Sequence, residues 1–124
     1  MHRPRMPWDA AARRHDSATL EGRVFAMVHH LGDVRRSFPS LHAAVASQPV
    51  ETTNPAVVAV LRKHAAGDLV QLYNVSEDWQ RCDPSVLGSL RDHDLVEHLT
   101  GEVPRVEDWQ LVLPPYAAVW LAER

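Results

Sequence analysis

The spacing of apolar residues changes character once along this chain, and that change constrains the fold more than any other feature. Over residues 17–38, "SATLEGRVFAMVHHLGDVRRSF", Leu20, Val24, Met27, Val28, Leu31, Val34 and Phe38 recur at three- and four-residue steps, which is one continuous helical stripe. From about residue 46 onward the pattern becomes short β-rich runs separated by turn signals. One amphipathic helix followed by several short strands predicts an α+β chain: one long N-terminal helix, then a small antiparallel β-sandwich. The expected layout is an extended arm over residues 1–16, the helix and its exit over 17–42, and an antiparallel β-domain over 46–124.

Local signals support each part. Asp16 or Ser17 can cap the helix, Glu21 lies near the positive end of its dipole, and Arg35 and Arg36 fall in the last turn. Pro39 ends it. Gly22 and Gly32 lie inside, each weakening the helix by ~1 kcal/mol relative to Ala, which suggests close packing against another element. In the second half, Ala56–Arg62 and Leu69–Val75 read as a hairpin with its loop at His64–Asp68. Trp79–Cys82, Leu95–Leu99, Trp109–Leu113 and Tyr116–Leu121 read as further strands, and "EVPRVED" as a polar loop. Asp83-Pro84 opens a short helical turn, with Asp83 as the cap.

At 124 residues and 45% apolar composition the chain suits one ordered domain. The formal charge of −3, with no clustered basic face, argues against nucleic acid, and no apolar run is long enough to cross a bilayer. The single cysteine, Cys82, excludes an internal disulfide and suits a reducing cytoplasm; it has no adjacent His to make it a nucleophile. The eight histidines form no HExxH pattern, and "RDHDLVEH" reads as a solvated loop, so no metal or other cofactor is expected. Acid–base catalysis needs paired carboxylates in a cleft, and no acidic residue stands out as buried in an apolar run. "NVS" at 74–76 matches the N-glycosylation pattern by chance, since no secretory signal precedes it. Trp79 and Trp109 are candidates for stacking on a sugar ring; Trp120, on the last strand, is expected in the core.

The order of motifs resembles a known family. "HRPRMPWDAAARRHD…EGRVFAMVHHLGDVRRSFPSLHA" is similar to the closing part of the catalytic barrel in amylosucrases, the sucrose-using α-glucan synthases of glycoside hydrolase family 13. "TTNPAVVAVLR", "LVQLYNVSEDWQ", "HLTGE" and "LVLPPYAAVWL" resemble, in that order, the C-terminal β-domain found across the α-amylase superfamily. Val75 and Trp79 depart from the family's usual residues. The resemblance implies that His2 and Arg3 match a segment near the sucrose site, and that the 17–38 helix matches the last barrel helix. It also implies a mainly structural role for residues from about 46 onward. The catalytic carboxylates of that family lie on earlier barrel strands, and a barrel needs about 250 residues.

The expectation is therefore a non-catalytic C-terminal region of an amylosucrase-like enzyme, not an enzyme alone. The alternatives are a free-standing carbohydrate-binding module using Trp79 or Trp109, or an assembly partner for a separately encoded barrel. The Leu20–Phe38 stripe is too broad to be left in water, so it is expected to be covered by the chain's own sheet plus a second copy, in a homodimer with helix-mediated contacts.

Overall fold

The computed structural model describes residues 5–124, which divide into two compact units, one ending at Ser37 and one running from Phe38 to Arg124. The first unit is not one long helix preceded by an extended arm. It holds a short helix, α1 (Trp8–Ala12), a 3-10 turn (Arg13–His15) and an 18-residue helix, α2 (Leu20–Ser37). Pro7 precedes α1, and its carbonyl accepts from Ala11 N (2.9 Å). Three alanines and no β-branched residue then favour the helical state.

Neither Asp16 nor Ser17 caps α2. The cap is Thr19, whose hydroxyl accepts from Gly22 N at 3.1 Å and donates to the Asp16 carbonyl at 2.7 Å. Asp16 instead shapes the approach, its carboxylate accepting from Ala18 N at 2.9 Å. The guanidinium of Arg13 binds Glu21 in the first turn of α2, with Nη2 2.6 Å from Oε1. Gly22 is the only buried residue of α2, and a Cβ there would stand 1.9 Å from the Asp16 carbonyl oxygen. The expected close approach thus holds for Gly22 but not for Gly32, which has nothing within 4 Å. Leu20, Val24, Phe25, Met27 and Val28 are all exposed.

The second unit is built from antiparallel strands in two sheets. The larger has the order β1-β2-β3-β8-β5, from β1 (Gln48–Val50), β2 (Val57–Arg62), β3 (Leu69–Asn74), β5 (Leu95–Glu97) and β8 (Ala118–Glu123). The smaller has the order β4-β7-β6, from β4 (Gln80–Cys82), β6 (Val106–Glu107) and β7 (Gln110–Leu113). Both sheets feed one hydrophobic cluster: Val57, Ala59, Val70, Leu72, Leu95 and Leu121 from the larger, Cys82, Leu111 and Leu113 from the smaller. Val86, Leu87 and Leu90 close it, from the 3-10 segment Pro84–Leu90. That segment starts as the sequence predicts, with Asp83 Oδ1 accepting from Ser85 N at 2.7 Å.

Strand pairing sorts the residues by face. Val70 faces Leu121 and Leu72 faces Val119 across β3 and β8, and these point into the shared cluster. The alternate residues Leu69, Gln71, Trp120 and Ala122 lie on the other face. There Leu69 and Ala122 pack with Leu41, and Phe38 and Trp120 close around them. Phe38 is therefore not the end of the helical stripe. It lies beyond Ser37 in extended backbone, its ring edge-on to His98 with centroids 4.6 Å apart. These contacts put the start of the second unit at residue 38, ahead of the expected 46. β6 lies in the segment read from the sequence as a polar loop, and β1 in one where no strand is read; with two and three residues they are too short to show alternation.

Candidate functional site

Two buried polar side chains of the β unit, Asn74 and Glu97, are defined by their bonding. Asn74 is 3% exposed at the end of β3. Its amide nitrogen donates to the carbonyls of Asp78 (2.7 Å) and Pro114 (2.8 Å), and its oxygen accepts from Ser76 N (2.9 Å). The amide that the N-V-S pattern would offer to a glycan is thus already engaged in the fold. Glu97 is 5% exposed, contrary to the reading that no carboxylate is buried in an apolar run. Oε1 accepts from Leu99 N (2.9 Å) and Trp120 N (3.0 Å), and Oε2 from Thr100 N (2.7 Å). Three backbone donors compensate the burial of its charge. This carboxylate ties β5 to β8 and shapes the turn after β5; it is an anchor.

The candidate stacking residues lie on two separate clefts of the same unit. Trp79 lines one of about 330 Å³, together with Glu97, Val103, Pro104, Arg105 and Leu113. Its ring is 56% exposed but not free, because the Arg105 guanidinium stands over it, 5.1 Å from the centroid. Arg105 is held by Glu107 (Nε to Oε1, 2.9 Å), and Arg81 joins Glu107 (3.4 Å) to Asp108 (2.8 Å). One face of Trp79 is therefore occupied by a cation within a chain of ion pairs.

Trp109 lines the second cleft, of about 530 Å³, with Arg91, Asp92, His93 and Asp94 at its polar side and Leu87, Leu95, Val106 and Leu111 among the apolar residues. The indole is 89% exposed. Within the 91–98 segment, His93 Nδ1 lies 3.3 Å from Glu123, Asp94 pairs with Arg124 at 3.0 Å, and Glu97 is bound by backbone N–H groups. Among the described residues, no three His, Cys, Asp or Glu side chains converge as a metal would need. Cys82 is buried, and desolvation followed by the neighbouring Asp83 charge pushes its thiol pKa up, which makes it a poor nucleophile. His2 and Arg3, the residues matched to a sucrose site, lie outside the described residues. Sequence reading missed Glu97, Asn74 and the Arg105–Trp79 stack. For Asn74 a usable signal was present: an Asn closing a β-run and followed two residues later by Ser, which is a side-chain-capped turn.

Comparison with known proteins accords with the β unit. Residues 47–122 match the family described as "Amylosucrase, C-terminal domain". A search among curated proteins finds no match. Among solved structures, AmyP in complex with maltose is similar with a TM-score of 0.65 at 22% identity, over 84% of this chain and 21% of that one. An AmyP variant in complex with maltotriose gives 0.67 at 22% identity, over 82% and 21%. Amy13B of Eubacterium rectale gives 0.60 at 23%, over 82% and 20%. The chain spans about a fifth of the length of these proteins. At such identities the likeness is one of fold. The family match is of another kind: it runs from just before β1 to the penultimate residue of β8, more than half of the 124 residues, and the chain belongs to the amylosucrase C-terminal domain family.

Proposed function

We propose that the chain is the accessory C-terminal region of an amylosucrase-like enzyme of glycoside hydrolase family 13, acting in sucrose and α-glucan metabolism. In this reading its β unit is a small sandwich that supports a catalytic barrel and performs no chemical step itself. The observation that carries the reading is the family match across residues 47–122, which takes in all eight strands of the described residues. The chemistry of the buried groups is in keeping with it: the Glu97 and Asn74 side chains are committed to backbone groups rather than aimed at a ligand. The maltose and maltotriose complexes of AmyP make α-glucans the substrate class to test first. The pure chain incubated with sucrose should release neither glucose nor fructose, and adding it to a barrel-only fragment of an amylosucrase should restore turnover. Turnover by the chain alone, or no restoration, overturns the reading.

A second reading concerns the first unit. Met6, Pro7, Ala10, Ala11, Leu20, Val24, Phe25 and Val28 line an open apolar groove of about 570 Å³. An exposed apolar surface of this kind is a common mark of an association site. A second copy of the chain is its proposed occupant, giving a homodimer joined through α2. Light scattering should give twice the 14.0 kDa chain mass. Introducing a charge at the exposed Val24 (Val24→Glu) should shift it to monomer, and a monomeric parent chain overturns the reading.

A further inference from the structure

The β6–β7 hairpin turns on Asp108 (φ 47°) and Trp109 (φ 63°), between the paired residues Glu107 and Gln110. Two successive positive φ values make the tight turn that favours Asn-Gly or Gly-Gly, and an indole at the second position is sterically disfavoured. Core packing does not explain it, because Trp109 is almost wholly exposed. Strained residues of this kind concentrate at ligand sites.

The cleft beside it is an independent observation. Its volume, about 530 Å³, falls in the range of small-ligand sites. The lining combines one flat aromatic face, an apolar base and the side chains of Arg91, Asp92 and His93. Asp92 has no side-chain hydrogen bond or ion pair among the described residues, whereas Asp94 and His93 are held by Arg124 and Glu123. The geometry points to a saccharide site, in which Trp109 is the platform for a pyranose ring of a neutral α-glucan and Arg91 and Asp92 take its hydroxyls. One face of a pyranose presents C–H groups that lie flat on an indole, while its hydroxyls need donors and acceptors at the ring edge. Guanidinium and carboxylate together supply both. The mixed charge is unsuited to an anion, and a wholly apolar ligand would make no use of the exposed Arg91 and Asp92. Trp79 is the poorer platform, since Arg105 lies over one face of its ring. The saccharide class follows from the cleft; that it is an α-glucan rests on the function proposed above.

The test is titration of the full chain with maltoheptaose, read by tryptophan fluorescence and by the indole N–H signals in NMR. Saturable binding at millimolar concentration is expected, with the Trp109 signal moving most. Trp109→Gly is the deciding variant, because glycine suits the turn: its melting temperature should rise while its affinity falls at least tenfold. Trp79→Phe should stay within about twofold of the parent affinity, and Asp92→Ala should weaken binding severalfold. No binding by the parent chain, or undiminished binding by Trp109→Gly, overturns the proposal. Restoration of barrel activity without glucan binding would remove this site alone, and glucan binding without restoration would remove the accessory reading alone.

Discussion

At the scale of single residues, the β unit depends on side chains that replace missing backbone pairing. Asn74 closes β3 by bonding the turn at 76–78 and the end of β7 at once, so one amide joins strands of both sheets. Asn54 acts similarly, donating to Gln80 Oε1 at 2.8 Å and to the Arg81 carbonyl at 3.0 Å, from the loop before β2 to β4. Truncating Asn74 to Ala leaves the Ser76 N–H without its acceptor and takes one donor from each of the Asp78 and Pro114 carbonyls, which keep bonds from Ser76 Oγ (3.3 Å) and Ala117 N (3.2 Å). The expected loss is about 1–3 kcal/mol, from one N–H left unmet and two carbonyl bonds removed, measured by urea unfolding. An unchanged midpoint would show that water replaces the amide there.

At the scale of elements, α2 is set by a contact with the turn before it. Gly-to-Ala exchange inside a helix ordinarily stabilises by ~1 kcal/mol. Gly32→Ala should follow that rule, because nothing lies within 4 Å. Gly22→Ala should reverse it, losing about 1–3 kcal/mol, because the new methyl meets the Asp16 carbonyl at 1.9 Å and must push the turn away. The pair is read by the temperature at which the far-UV helical signal is lost; equal shifts in both variants would contradict the contact. The start of the Pro84–Leu90 segment carries a pH signature. Hydrogen bonds from the Ser85 side chain and backbone hold Asp83 below its ordinary pKa, so its carboxylate stabilises the fold above the unfolded value near 3.8. That contribution is lost as pH falls through the lower folded value. Glu21 is lowered too, by Arg13, with the same sign. Asp83→Ala should therefore lower the melting temperature at pH 7 and have little effect near pH 2; an equal loss at both would exclude the cap as the cause.

At the scale of the whole molecule, the two units suggest where the chain can be divided. A fragment 38–124 keeps the shared cluster and the second small core, and should retain the cooperative melting of the β unit. A fragment 46–124 loses Phe38 and Leu41, which cover Leu69 and Ala122. Removing that apolar cover should cost about 2–4 kcal/mol of the fragment's stability, visible in side-by-side denaturant curves. Equal curves would show that residue 46 is the true start of the folding unit.

The amino-acid sequence by itself determined the order of elements. A helical stripe ends at a proline, and the runs of β2, β3, β7 and β8 follow between turn signals, because local periodicity and turn chemistry are written in neighbouring residues. The family resemblance was legible for the same reason, being an order of short motifs. Tertiary structure alone decided the rest. The two- and three-residue strands β6 and β1 exist only because longer partners pair with them. Phe38 left the helical stripe for the sheet face, and Glu97 became a buried anchor, because Leu69, Ala122 and the turn after β5 were brought to them from elsewhere in the chain. Trp79 and Trp109 look equivalent as letters. They differ because Arg105 reaches over one ring and a strained turn holds the other in solvent, and both facts depend on how β6 meets β7.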